Sequence, residues 1–163
     1  MKNFVQFLVL VVLFSFAGSK LYAHCEVPCG IYDDKLRIQI IEEHITTIEK
    51  AMNQIKELQE ADEINYNQLV RWINTKEYHA KEIQHIADQY FMTQRIKPAE
   101  QGDEEAYDKY ISQLTLMHEL LIYSMKSKQT LEQQWIDKMR ETVDKFELAY
   151  FGKPIEMIEE HTH

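Results

Sequence analysis

Glycine and proline are scarce in this chain, four and three among 163 residues. So few turn-formers leave little for the many tight hairpins of an all-β domain. Cysteine is scarcer still, two in all, which excludes a small scaffold built on many disulfides. Basic residues are outnumbered, 18 against 27 acidic, and the formal net charge is −9. A general nucleic-acid surface needs a basic face, so nucleic acid is not an expected partner. Gly/Ser-rich and Pro-rich stretches are missing, and so is any repeat period. At this length one domain with a real core is expected.

The first 23 residues differ from the rest. Lys2 gives a positive start, and residues 7–14, "FLVLVVLF", form an unbroken apolar run. The small-residue stretch "AGSKLYA" follows. That is the order of a secretory signal peptide. The hydrophobic stretch from Phe4 to Gly18 is shorter than the ~18–20 residues of a spanning helix, so residues 1–23 read as a cleaved signal and not an anchor. A lipid-attachment site is not apparent, because Cys25 follows His24. Cleavage after Ala23 makes His24 the first residue; cleavage after Ser19, with Ala17 at −3, leaves "KLYA" ahead of it. The first choice also removes Lys2 and Lys20, so 18 − 2 basic residues face 27 acidic and the charge becomes −11. The expected location is exported, periplasmic or extracellular, with no membrane contact once the signal is gone.

Four amphipathic segments follow. Residues 34–60 carry Ile41, Ile45, Ile48, Met52 and Ile55 on one stripe. A second helix is expected from about Asn65 to Phe91, facing inward with Leu69, Ile73, Ala80, Ile83, Ile86, Ala87 and Tyr90. "QRIKPAEQGD" breaks it, since Pro98 and Gly102 disfavour helix there. A third starts near Asp103 or Glu104, with Tyr107, Ile111, Leu114, Met117, Leu121 and Met125 as its buried side. "KSKQT" separates it from a fourth, where Thr130-Leu-Glu-Gln133 fits a capping box. Leu131, Trp135, Met139, Val143, Phe146 and Tyr150 follow, and Gly152 with Pro154 ends it. The predicted fold is all-α: an antiparallel up-down-up-down four-helix bundle over residues 34–154, then a tail, residues 155–163. The Met and aromatic stripes read as core packing.

Chemistry concentrates elsewhere. Glu82-Ile-Gln-His85 matches the Glu-x-x-His of di-metal bundles once, which is close to chance in a chain this rich in glutamate. The tail histidines His161 and His163 read as a solvated pair. Residues 24–33, "HCEVPCGIYD", hold both cysteines. If His24 is residue one, it brings a free α-amine and an imidazole. Cys25 brings a thiolate and a backbone amide, and Cys29 a second thiolate. The amine, the Cys25 amide and the Cys25 sulfur make two fused chelate rings, and Cys29 closes a square plane of two nitrogens and two sulfurs. Such a plane suits nickel(II) or copper(II) better than zinc, and thiolates make copper(II) hard to keep oxidised. Two other readings stand beside this one. Cys25 and Cys29 can pair as a disulfide pinning the N-terminus of an exported binding protein or chaperone, or the hook can carry nickel or copper without turnover.

The same ten residues resemble the metal hook of nickel superoxide dismutases, H-C-x-x-P-C-G-x-Y, at His24, Cys25, Pro28, Cys29, Gly30 and Tyr32. The resemblance implies a four-helix subunit, a homohexamer, one nickel ion per subunit, and disproportionation of superoxide to dioxygen and hydrogen peroxide by Ni(II)/Ni(III) cycling. It implies His24, Cys25 and Cys29 as the metal ligands, with His24 also a catalytic residue through its imidazole. Tyr32 would stand at the open face of the metal and limit access to small anions, and Val27-Pro28 would be a cis bond. In the family a carboxylate on the first helix and an arginine from a neighbouring subunit hold the imidazole. Gln39 stands at the first position here, and Arg71 and Lys76 compete for the second. Superoxide is an anion and the chain is acidic, so local steering by Lys35, Arg37 and the positive end of the first helix is expected.

Overall fold

The computed structural model describes residues 33–152. The hook residues and the tail therefore lie outside the described residues. All regular structure among the described residues is helical: α1 (Asp34–Gln59), α2 (Tyr66–His85), a π-helical continuation of α2 (Ile86–Arg95), α3 (Glu104–Gln129) and α4 (Gln134–Phe151). No helix among the described residues is long and apolar enough to cross a membrane.

Local chemistry sets the ends. Asp33 caps α1 by accepting from the Lys35 amide at 2.8 Å, and Asp34 sits in the first turn where a negative charge suits the helix dipole. Asn65 caps α2 through the Gln68 amide, and Asp103 caps α3 through the Ala106 amide. Gly152 closes α4 at φ 74°, the left-handed conformation that glycine adopts without strain. The expected capping box at Thr130 does not form. α3 runs on through Gln129, Thr130 ends it, and the Thr130 hydroxyl accepts from the Glu132 amide just ahead of α4. The lysine-rich stretch is helical because its cations suit a helix C-terminus.

Each helix packs on its neighbours in sequence, α1 on α2, α2 on α3, α3 on α4, and α4 closes back on α1. The core holds the expected α1 stripe of Ile41, Ile45, Ile48, Met52 and Ile55, all buried, and Ile38 joins it. Phe91 is its aromatic centre, with ring centroids 5.0 Å from Phe146, 5.1 Å from Tyr90 and 5.8 Å from Tyr150.

α3 departs from the apolar stripe read in the sequence. Its buried residues are Gln113, Met117, Leu120, Ser124 and Ser127, while Ile111 is exposed. The helix is turned so that small and amide side chains face inward. The two serines donate to carbonyls one turn back in their own helix, and Gln113 donates to the Ala149 carbonyl of α4. Buried polar groups are tolerated because each is bonded.

The α1–α2 hairpin is longer than the pair it packs against. Gln133, at the start of α4, donates to Glu49, and the Arg140 guanidinium meets the same carboxylate at 2.6 Å. Lys76 of α2 meets the end of α3. Residues 50–59 of α1 run about 15 Å further at 1.5 Å per residue. Over the matching part of α2, Tyr66, Val70 and Ile73 are exposed. Ile73 is thus not core, because neither α3 nor α4 reaches that far to cover it.

Candidate metal centre and its base

His24, Cys25, Cys29 and Tyr32 all fall outside the described residues. What is described is the base into which they lead. Tyr32 immediately precedes Asp33, the cap of α1. The positive end of that helix dipole therefore begins directly after the hook.

One residue further on, Asp34 gathers three partners from two other elements. Its Oδ1 accepts from the Tyr90 hydroxyl at 2.5 Å and pairs with Arg95 Nε at 2.9 Å. Its Oδ2 accepts from the Tyr150 hydroxyl at 2.8 Å. Arg95 Nη2 also donates to the Tyr90 oxygen at 2.9 Å, and its guanidinium lies over the Tyr90 ring. Arg37 approaches the same ring, 5.6 Å from its centroid. The start of α1, the end of α4 and the end of the π segment are thus tied at one carboxylate.

The π-helical turn makes this possible. On an α-helix, residues five apart lie about 140° round from each other. In a π-helix the backbone bonds run over five residues and bring such pairs together. Tyr90 and Arg95 are one such pair. Thr93 to the Asp88 carbonyl and Gln94 to the Gln89 carbonyl are two more. Burial raises the Tyr90 and Tyr150 phenol pKa values, and hydrogen bonding to Asp34 adds to it. Both stay protonated and donating through the neutral range.

The residues expected to support the histidine divide. Gln39 is half-buried on α1, and Arg71 is exposed on the far part of α2. Lys76 is committed elsewhere. Its ammonium is buried and donates to the carbonyls of Ser127 at 3.0 Å, Lys128 at 2.6 Å and Thr130 at 3.3 Å. It closes the C-terminus of α3, where a cation suits the dipole. Of the steering pair, Lys35 is exposed and Arg37 half-buried.

A family model described as nickel-containing superoxide dismutase matches residues 19–153. The chain belongs to the nickel-containing superoxide dismutase family. Neither a curated protein nor a solved structure matches it. As a nickel superoxide dismutase it is an oxidoreductase that converts superoxide to dioxygen and hydrogen peroxide, with a nickel cofactor. The donor chemistry fits that metal. Thiolates are soft donors and imidazole suits nickel, and His24 and both cysteines of the chain, Cys25 and Cys29, lie inside the matched span.

Asp34, Tyr90, Arg95 and Tyr150 were not singled out by sequence as a group. Tyr90 and Tyr150 read as core stripe, and Arg95 fell in the expected helix break. The available signal was the spacing of five between Tyr90 and Arg95, which has meaning only once a π turn is known.

Proposed function

We propose that this nickel superoxide dismutase holds its metal in the segment 24–33 after signal cleavage behind Ala23. His24 supplies the α-amine and an imidazole, Cys25 an amide nitrogen and a thiolate, and Cys29 the second thiolate. Nickel bound by such donors supplies a one-electron couple brought into reach of superoxide by the negative charge of thiolate and amidate. Tyr32 orders water and restricts the open face to small anions. The chain is exported, to the periplasm or beyond the cell, because the leader has the signal order and because cleavage there creates the N-terminal ligand. The observation that carries this reading is the family match, whose span runs without a break from the hook residues through all four helices.

The bundle runs up-down-up-down. Asp34 with Tyr150 and Glu49 with Gln133 fit antiparallel α1 and α4, and His44 with His79 fits antiparallel α1 and α2. The subunits assemble as a homohexamer. Exposed Tyr66, Val70 and Ile73, at helical spacing on the uncovered part of α2, offer an apolar stripe for such contacts. Arg71 is exposed beside that stripe, which leaves it free to serve as the arginine that the family supplies from a neighbouring subunit. Lys76, bound to three carbonyls, is not.

The test joins N-terminal sequencing of the exported protein to metal analysis. A mature chain beginning at His24 with one nickel per subunit is expected. Cys29→Ser should lose nickel and activity and keep its helical circular dichroism. A mature chain beginning at Lys20, or an oxidised cysteine pair without nickel, would overturn the ligand assignment.

A further inference from the structure

The α1–α2 hairpin carries a second set of donors. His44 of α1 and His79 of α2 face each other with Nδ1 to Nδ1 at 2.7 Å and ring centroids 4.9 Å apart. Both are half-buried. Tyr78 lies edge-on to His79 at 5.3 Å, and Glu82, one turn along α2, places negative charge beside both rings. Burial nevertheless holds both imidazoles below the ordinary histidine pKa, and for His44 the facing His79 adds to this. Both rings are therefore neutral at pH 7. In a neutral pair one Nδ1 carries a proton and the other accepts it. Moving that proton to the ring's Nε2 leaves two lone pairs converging between the helices.

We propose that His44 and His79 form a second metal site, taking one divalent transition ion through their Nδ1 atoms and clamping α1 to α2. Neutral imidazole suits zinc, copper and nickel. Zinc–nitrogen bonds of about 2.0–2.1 Å in a tetrahedron put two ligand atoms about 3.3 Å apart. The rings need to part by only about 0.6 Å from their hydrogen-bonded spacing, which small side-chain rotations supply. Among the described residues no three His, Cys, Asp or Glu side chains converge. The remaining positions on the ion fall to water, and Glu82 offsets its charge without having to bind. Such a site exchanges its ion readily, unlike the closed four-ligand sites that hold structural zinc. Its all-imidazole donors also differ from the thiolates of the hook, so the two sites favour different metals.

The test is equilibrium dialysis of the nickel-loaded mature protein, tail included, against micromolar zinc(II), with both metals counted by mass spectrometry. One zinc per subunit beyond the nickel is expected. His44→Ala and His79→Ala should each lose that zinc while keeping the nickel and the dismutase activity. His44→Gln, closer in size and polarity, should show the same loss and stands in if the alanine variant is poorly folded. With copper(II) in place of zinc, the electron paramagnetic resonance spectrum should show nitrogen hyperfine structure that disappears in both variants. A tail variant, His161→Ala/His163→Ala, should keep the extra zinc. No extra zinc in the parent, or an extra zinc that survives loss of either His44 or His79, would overturn the proposal.

Discussion

Replacing Asp34 by alanine removes the carboxylate on which Tyr90, Tyr150 and Arg95 converge. Hydrogen bonds to a charged group contribute about 1.5–3 kcal/mol each, so the two from Tyr90 and Tyr150 together with the Arg95 ion pair set a ceiling of several kcal/mol. The observed geometry discounts this. Asp34 and Arg95 side chains are 27% and 24% exposed, so water screens the pair and can rehydrate the arginine once the acid is gone. Loss of one acid also relieves some repulsion in a chain of net charge −9. Against that, the helix dipole interaction at the start of α1 is lost, about 0.3–1 kcal/mol. The net expectation for Asp34→Ala is a loss of about 2–3 kcal/mol. Asp34→Asn, which keeps one acceptor, should lose about half as much. The assay is urea unfolding at fixed protein concentration and fixed nickel content, combined with Arg95→Ala in a double-mutant cycle. Because the groups share one carboxylate, a coupling energy of about 1 kcal/mol or more is expected. If Asp34→Ala stays within about 0.5 kcal/mol of the parent, or its cost simply adds to that of Arg95→Ala, the four residues do not act as a unit.

Three further outcomes follow from the packing and the charges. Phe91→Ala, at the fully buried centre of the aromatic cluster, should cost about 3–5 kcal/mol in the same unfolding assay. Lys76→Met should cost about 1–3 kcal/mol, since the carbonyls of Ser127, Lys128 and Thr130 lose their donor while the desolvation cost of a buried ammonium is relieved. The loss should appear first in hydrogen exchange at the last turn of α3. The histidine pair gives a pH dependence whose sign is fixed. Both folded pKa values lie below the ordinary 6.5, so between them and 6.5 the unfolded chain binds more protons. Their stabilisation is therefore complete above about pH 6.5 and is lost as pH falls through the window toward the folded values. His44→Phe should flatten that part of a stability–pH curve measured without added metal.

The helices themselves, and the buried stripe of α1, were legible in the sequence. The stripe from Ile41 to Ile55 needed nothing but helical period, and Asp103 and Gly152 announced helix ends through ordinary capping chemistry. What escaped rests on polar groups whose partners lie far along the chain. α3 buries Gln113, Ser124 and Ser127 because carbonyls of its own helix and of α4 satisfy them, which a pattern of apolar residues does not report. Lys76 looks like a surface cation until the end of α3 is brought to it across more than fifty residues of chain. Thr130 could cap the helix after it or end the helix before it, and local sequence does not decide between them. For the metal centre the balance is reversed. His24, Cys25 and Cys29 were proposed from ligand chemistry within a few residues, whereas the Asp34 anchor needed three elements brought together in space.

The unequal helix lengths leave a four-helix part and a two-helix part, where Tyr66, Val70 and Ile73 of α2 are exposed while Ala51, Met52 and Ile55 of α1 stay buried. The four-helix part holds Asp34 and its partners; the two-helix part ends in the exposed turn between Gln59 and Tyr66. That turn lies about 39 Å along α1 from the anchor, at 1.5 Å per residue over 26 residues. A reporter peptide or fluorophore grafted there would be remote from the anchor and next to the exposed Tyr66, Val70 and Ile73. The two-helix part thus offers a labelling point that leaves the Asp34 anchor untouched.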